Sequence, residues 1–561
     1  MNPAIETTQL KDIVAHAKEY GFVFQSSEIY DGLAAVYDYG PNGVELKNNL
    51  KRLWWEAMTQ LNGNVVGIDA AIFMDPRTWE ASGHIAGFND PLIDNLDSKK
   101  RYRADVLLEE KAAEYENAGD PARGAALTAE MGRLLTANDL AGVRQLILDE
   151  KIKCPVSNTG NWTEVRQFNL MFSTQGSAVD SDAPPVYLRP ETAQGIFVNF
   201  LNVQKSARMK IPFGIAQIGK AFRNEVTPKN FTFRSREFEQ MELEFFIKPD
   251  EAVEIISGKV AAWSEGADLS EPKPDWGWEM WHRYWVDQRT KFYQSIGLGD
   301  VLQYYWQTPA DLAHYARACV DILCEFPFGT EELEGIAARG DFDLSQHQKH
   351  SGKSLEIFDE ELKTAVASVT DEGKEAMIQR RLATENAREK GAMTEVEVRE
   401  WFDRLFKGFY LPHVIEPSAG LDRMALAVIA KAFEQYEKED GKGKSETITV
   451  LRLHPGIAPI KVGVFPLLKN KPELVAKSRE VFHQLKGRMN SFYDESGAIG
   501  RRYARQDEIG TPFCVTIDFE TLGEQGEVLK NTVTVRERDG GAQHRVKISE
   551  LTGWLLQRVG A

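Results

Sequence analysis

The stretch Phe222 to Phe246, FRNEVTPKNFTFRSREFEQMELEFF, constrains the fold more than any other part of the chain. Its first half continues an alternation of polar and apolar residues that begins at Ile215. A second alternation starts at Glu237, which predicts two antiparallel strands joined by a loop at Thr227 to Thr232. Side chains two apart share a face of a strand, so Arg223 goes with Glu225. Gln240, Glu242 and Glu244 go together, flanked by Phe, Met, Leu and Ile. A face that apolar is buried. Carboxylates buried in a row repel one another and lose their hydration, so they persist only where cations or hydrogen-bond donors meet them. Lys229 lies in the predicted loop, and Arg234 and Arg236 follow it. Guanidiniums suit a phosphate and carboxylates suit an ammonium, so the pattern fits a site for a nucleotide and an amino acid together. A salt-bridged, solvated ribbon has the same composition, and this stretch alone leaves both readings open.

The chain has 561 residues, too many for one core, which suggests roughly three to four domains. No apolar run approaches the ~20 residues of a membrane span. The start, MNPAIETTQLKDIVAHAKEY, is a polar helix opening without a signal-peptide core, so a cytoplasmic, membrane-free protein is expected. Cys154, Cys319, Cys324 and Cys514 form no C-x-x-C pair and specify neither a disulfide framework nor a zinc ribbon. The net charge of −17 argues against indiscriminate nucleic-acid binding. Its distribution is uneven: from Pro455 onward 16 Lys and Arg stand against 13 Asp and Glu, leaving 51 against 71 elsewhere. The C-terminal part is thus the less repulsive one for a phosphate backbone.

After the turn Tyr37-Asp38-Tyr39-Gly40-Pro41, Leu46, Leu50, Leu53, Ala57 and Leu61 keep helical spacing and predict one buried stripe. Residues 104–153 read as a charged helical insertion with a break at Gly119-Asp120-Pro121, for which a solvated spacer is the simplest role. Glu191, in RPETAQG, is a third carboxylate able to reach the same pocket as Glu242. Trp276, Trp278, Trp281 and Trp285 read as core, and the stretch near 354–404 as a second charged helical insertion. HVIEPSAGLDRMALAVIAKAF turns from strand to helix at Pro417 to Gly420. That puts Arg423 in the first helical turn, where a cation opposes the helix dipole and an anionic partner such as a triphosphate would relieve it. EKEDGKGKSET reads as a polar linker. The strands KVGVFPL, TPFCVTIDF and TVTVRER beyond it, interleaved with helical stretches, read as an α/β domain.

FRNE, REFEQMELEF and EPSAGLDR (Glu416 to Arg423) resemble motifs 2 and 3 of class II aminoacyl-tRNA synthetases, and in detail those of the homodimeric glycyl type. YDYGPNGVELKNNLKRLWW, SGHIAGFNDPL, RPETAQGIF, LAHYA and the last hundred residues extend the resemblance in the same order. It implies an α+β fold: a class II catalytic domain, an antiparallel sheet flanked by helices, with helical insertions and a C-terminal α/β anticodon-binding domain. The expected boundaries are 1–103 for the first part of the catalytic domain with motif 1, 104–153 for the insertion, 154–436 for the catalytic remainder, 437–454 for the linker and 455–561 for the anticodon-binding domain. The motif 1 helix implies a homodimer, although packing within its own subunit would give the same periodicity.

The resemblance also implies a reaction: glycine attacks the α-phosphate of ATP, and a terminal hydroxyl of glycine tRNA then takes the glycyl group. Arg223 and Arg423 are the implied catalytic residues, Arg223 on the α-phosphate and the glycine carboxylate, Arg423 on the γ-phosphate. Glu225 would meet the adenine amino group and Phe238 would stack on the ring, with Asn224, Phe233, Arg234, Arg236, Glu332, Leu333 and Gly420 completing the ATP site. Arg103, Glu191, Gln240, Glu242, Glu416, Ser418 and Gly420 would surround glycine, and His84 would support them. Glu332 is the expected Mg²⁺ ligand. Relatives with a C-P-x-C-G knuckle have zinc where this chain reads Cys154-Pro155-Val156-Ser157, so no structural zinc is expected. Glu334 replaces a Trp common among relatives, which questions the packing there. A synthetase for another small amino acid, or a noncatalytic nucleic-acid binder of the same fold, are the competing readings.

Overall fold

The computed structural model describes residues 10–176, 184–309, 311–313, 316–386, 393–439 and 445–560. His314 and Tyr315 of the LAHYA motif lie outside them. The chain forms two compact units, one of Met1–Ala70, Gly195–Gly219 and Phe238–Ala561, the other of Ala71–Gln194 and Lys220–Glu237.

A seven-stranded sheet organises the first unit. Its strands are β1 (Val65–Gly67), β2 (Phe213–Phe222), β3 (Glu237–Ile247), β4 (Leu302–Trp306), β5 (Ala318–Phe326), β6 (Gly329–Gly340) and β7 (His413–Gly420). They lie in the order β4-β5-β6-β7-β3-β2-β1. Pairing is antiparallel from β4 through β7 to β3 and parallel between β1 and β2. From Glu239 onward every residue of β3 is buried, as a central strand requires. One face is covered by the helix Trp278–Ser295, whose Trp281 and Trp285 pack tilted and edge-on against Phe245 with centroids 4.9 and 5.1 Å away; these two and Trp276 are core, while Trp278 is half-buried.

Glu334 points into the same face and is 1% exposed. Its carboxylate takes Arg289 Nε at 2.6 Å and the Tyr293 hydroxyl at 2.5 Å, both from that helix. Glu334 is therefore accommodated by a buried ion pair.

The motif 1 helix, Pro41–Trp55, differs from its predicted pattern. Its buried stripe is Gly43, Leu46, Lys47, Leu50 and Trp54, followed by Met58, while Leu53 and Ala57 are half-buried and Leu61 is 81% exposed. Residues Glu56–Gln60 form a wider turn in which Leu61 N bonds Glu56 O five residues back. The extra residue rotates Leu61 off the stripe. Lys47 sits in the stripe because Glu239 and Asp422 meet its ammonium at 2.6 and 2.9 Å.

The predicted linker is ordered where described: Phe433–Glu439 and Ser445–Leu451 pair as an antiparallel ribbon. Its polar side chains serve each other across the strands, with Thr447 and Ser445 donating to Glu437. Helices Glu360–Val366, Asp371–Asn386 and Glu395–Phe406 share a small core of Leu362, Met377, Ile378, Val398, Phe402 and Leu405. At the C-terminus a five-stranded sheet, Val462–Pro466, Ser491–Tyr493, Phe513–Ile517, Thr532–Glu537 and Gln543–Lys547, mixes parallel and antiparallel pairs. Val464, Val515, Val533, Leu551 and Leu555 fill its core, in agreement with the α/β reading.

The second unit holds the stretch 104–153. Helices Ala104–Asn117, Pro121–Thr136 and Leu140–Asp149 share a core of Leu107, Leu108, Leu127, Leu134, Val143 and Ile147, joined by Ile93, Trp162 and Val165. A segment with that much buried apolar surface is a folded element and not a spacer. Among the described residues no helix is long and apolar enough to cross a membrane.

Arg289→Met is expected to destabilise the protein by about 3–5 kcal/mol, because Glu334 would stay buried without its cation, and Arg289→Met with Glu334→Leu to recover most of that loss. Urea melts measure both. A single variant as stable as wild type would contradict the pairing.

Candidate active site

Antiparallel register aligns a row of side chains on the face of the sheet away from Glu334. Glu242 on β3 stands opposite Ser418 on β7, Ser418 opposite Gly335 on β6, and Gly335 opposite Asp321 on β5. Direct partners share a face, so one residue type per strand decides what the row offers. Glu242 is 2% exposed and accepts from Ser418 Oγ at 2.7 Å and Gln240 Nε2 at 3.0 Å. Gln240, predicted to share its face, does so and lies opposite Gly420. Phe238, two residues earlier, falls on this face too.

Glu416 lies two residues before Ser418 on β7. Arg339 Nη1 donates to both of its oxygens at 2.8 Å, while Nε and Nη2 of the same guanidinium hold Asp343 at 2.8 and 3.0 Å. All three groups are buried. Glu416 is thus already paired with a cation that the sequence reading did not name.

Glu332 and Arg423 lie side by side. Arg423 Nη1 donates to the Glu332 carbonyl at 3.1 Å and meets Oε2 at 3.4 Å. Arg423 is in the first turn of the helix Leu421–Ala432, with Gly420 at its N-cap. Asp422 anchors that turn by accepting from Glu239 N at 2.7 Å and Lys47 Nζ at 2.9 Å. A bulge at Ile322 and Leu323 lets Glu332 pair with Leu323. A Cβ on Gly335 would stand 3.6 Å from Glu332 Oε1 and 3.8 Å from Asp321 Oδ1, so both carboxylates border one space. Burial, and Glu332 nearby, push Asp321 above the usual carboxylate range despite the Gln307 amide. Leu333 is 1% exposed and packs in the core, so only its backbone can serve a ligand.

The second unit carries the other predicted residues. Here the strand expectation fails: β2 ends at Phe222, and Arg223, Asn224 and Glu225 lie outside it. Arg223 N still bonds Arg236 O at 2.9 Å, but Glu225 N turns back to Arg223 O. Arg234 Nε takes the Glu225 carboxylate at 2.8 Å and Arg236 Nε takes its carbonyl at 3.1 Å. Local side-chain bonds thus replace the ladder, and the loop turns through Asn230 and Phe231, both at positive φ, into a short helical turn holding buried Phe233. Arg223 Nε donates to Pro190 O at 3.0 Å, and Asn224 N to Leu170 O at 2.7 Å.

Glu191, next to Pro190, accepts from Gln194 Nε2 at 3.0 Å and faces His84 Nε2 at 3.3 Å, and Ser82 Oγ bonds the other ring nitrogen at 2.8 Å. His84 thus supports Glu191. Arg103 holds Asp105 at 2.5 Å and Asp90 at 3.2 Å. Burial keeps Asp90 above the usual carboxylate range even with that guanidinium beside it.

Sequence reasoning missed Arg339, Asp343, Asp321 and Lys47. A lone Asp in ACVDILCEF and the i, i+4 spacing of Arg339 and Asp343 are the signals that could have found three of them.

A family model described as glycyl-tRNA synthetase insertion domain 1 matches residues 90–126 and 121–170, the region of the three-helix core. An anticodon binding domain model matches residues 461–558, the C-terminal sheet and its helices. Over 555 residues the chain is 43% identical to the glycine–tRNA ligase of Geobacillus thermodenitrificans, covering 98% of this chain and 97% of that one. With the enzyme of that name from Thermus thermophilus it shares 43% over 568 residues, 98% and 99% of the two chains. With that of Staphylococcus aureus it shares 42% over 547 residues, 97% and 98%. Identity of this extent spans both the carboxylate row on the sheet and the arginines after β2, and it establishes that the chain belongs to the glycine–tRNA ligase family.

Proposed function

We propose that this chain activates glycine with ATP and transfers it to the 3′ end of glycine tRNA in the cytoplasm. The observation that carries the reading is the buried Glu242–Ser418 pair, next to a glycine, Gly335, in the same row, within a chain of this family. Glycine offers an ammonium, a carboxylate and no side chain. Glu242, Gln240 and Ser418 supply acceptors for the ammonium, each charge-assisted bond contributing about 1.5–3 kcal/mol. Discrimination then rests on crowding, since rewarding a single methyl would contribute only ~1–3 kcal/mol. Glu191, steadied by His84 and Gln194, is a second acceptor, and Arg103 an outer partner. Glu416, held by Arg339, contributes negative charge to the pocket.

In the first step a glycine carboxylate oxygen bonds the α-phosphorus as the bond to the bridging oxygen breaks and pyrophosphate leaves. Charge develops on the phosphoryl oxygens, where positioned cations act. Arg223 is assigned to the α-phosphate and the glycine carboxylate, and Arg423 to the γ-phosphate, a role for which it must leave Glu332. Glu225 is assigned to the adenine amino group, with its Arg234 partner released toward phosphate. Asn224, Arg236, Phe233 and Phe238 shape the nucleotide site, and Gly420 and the Leu333 backbone complete it.

Glu332 and Asp321 are hard oxygen donors bordering one space, which fits Mg²⁺, an ion that takes one or two carboxylates and fills its shell with phosphate oxygens and water. When bound, it would neutralise phosphate charge. The Cys154 thiol meets the hydroxyls of Ser98 and Tyr102 at 3.2 and 3.1 Å and is hydrogen-bonded by Ser157 as well, partners unsuited to zinc, so no structural zinc is assigned. Residues 461–558 are assigned to anticodon contact, and the surroundings of the motif 1 helix to a homodimer interface.

ATP–pyrophosphate exchange with glycine, alanine and serine tests the assignment. Exchange with glycine alone is expected, and equal exchange with serine would mean a synthetase for another small amino acid. Glu242→Gln should abolish glycine-dependent exchange while calorimetry still detects ATP binding; near wild-type exchange would remove the ammonium assignment. Arg223→Ala should lower kcat for exchange by about 10²–10³. A change confined to the glycine KM would show that Arg223 only binds substrate.

A further inference from the structure

Glu244 has no place in the chemistry described so far. It is 0% exposed, and among the described residues neither of its carboxyl oxygens has a hydrogen-bond partner. The register is unshifted on either side, Glu242 opposite Ser418 and Phe245 opposite Ile415, which sets Glu244 directly opposite Glu416. It also shares its face with Glu242 two residues away. Like charges opposite one another across strands are destabilising, and among the described residues the cation of this cluster, Arg339, is already committed. The Arg339 guanidinium bonds both oxygens of Glu416 and both of Asp343. With Glu244 neutral, Glu416, Asp343, Glu242 and Arg339 sum to two negative charges; with Glu244 ionised they sum to three.

Two ways exist to bury such a group: add a cation or keep the proton. Among the described residues the cation that faces Glu244, Arg339, is held by Glu416 and Asp343, whereas the substrate assigned to Glu242 brings another. We propose that Glu244 holds a proton in the unliganded protein and releases it when an ammonium enters beside Glu242, so that glycine binding is proton-linked. The O–H bond of Glu244 breaks, the proton passes to buffer, and the charge left on the carboxylate is offset by the ammonium of glycine. Burial, then Glu416, raises the Glu244 carboxyl well above the usual range, against the pull of Arg339, while Glu242 and Asp343 raise it further. Those four are the charged groups that face it, from β3, β7, β6 and the helix Phe342–Ser351.

The sign follows from linkage. A group that loses a proton on binding makes binding tighter as pH rises, by up to about tenfold per pH unit for one whole proton. The glycine KM should therefore fall severalfold per unit as pH rises through the neutral range, with kcat changing little. Calorimetry in two buffers of different ionisation enthalpy should register proton release on adding glycine.

Glu244→Gln keeps the shape and cannot ionise. It should remove both the pH dependence of the glycine KM and the buffer dependence of the heat, leaving exchange itself intact. A wild type without proton release, or a Glu244→Gln protein that releases as much as wild type, overturns the proposal. If that variant does not fold, infrared difference spectra of the wild type decide: loss of a buried protonated-carboxyl band on adding glycine supports it, and no change overturns it. The inference rests on the functional reading above. Absence of any glycine-dependent exchange would overturn both, whereas exchange without proton release overturns this one alone.

Discussion

Four carboxylates buried around one central strand are the constraint on which the rest of the structure depends. Each must be met by something, because an unpaired ion inside a protein costs several kcal/mol even after relaxation. Glu239, on one face of β3, is met by Lys47 at 2.6 Å and Lys51 at 2.5 Å. Burial alone would raise its carboxyl, but the two ammoniums win and hold it below the usual range. On the other face Glu242 takes hydrogen bonds from Ser418 and Gln240, and Glu416, opposite on β7, takes a guanidinium. Among the described residues no hydrogen bond reaches the Glu244 carboxyl. The graded treatment of these four groups separates structure from chemistry: ion-paired carboxylates tie the fold together, and Glu242, met by the neutral donors Ser418 and Gln240, keeps a charge that suits an ammonium.

The ties are long-range in sequence. Lys47 joins the motif 1 helix to β3 and to Asp422, which in turn fixes the start of the helix that carries Arg423. Arg423 sits at a helix N-terminus, where its charge is unfavourable unless an anion is near. In the structure Glu332 fills that role. Under the proposed function a triphosphate would be a stronger partner for the same guanidinium, and the ion pair would hold the cation ready for it.

Much of this was legible in the sequence where the determinant is local. Period two placed Gln240, Glu242 and Glu244 on one face, and the position of Arg423 followed from a strand-to-helix switch at Pro417 to Gly420, whereas Ser418 was implied only by the family resemblance. What was not legible depends on register or on local competition for hydrogen bonds. Arg339 meets Glu416 across 77 positions because β6 and β7 pair, and no local pattern encodes that pairing. Alternation through Arg223 and Glu225 continued on paper past the point where Arg234 and Arg236 pull the backbone out of the ladder. A single inserted residue at Glu56–Gln60 turned Leu61 outward. The polar run after Phe433 looked like a linker because its pairing partners are polar too.

The central claim is that Glu242 and Ser418 together read the ammonium of glycine. A crystal structure with a nonhydrolysable glycyl-adenylate analogue tests this most directly. The account predicts the ammonium nitrogen at hydrogen-bond distance, about 2.7–3.2 Å, from the Glu242 carboxylate, with Ser418 turned toward the same group. An ammonium bound away from Glu242, with the Ser418–Glu242 bond undisturbed, would contradict it.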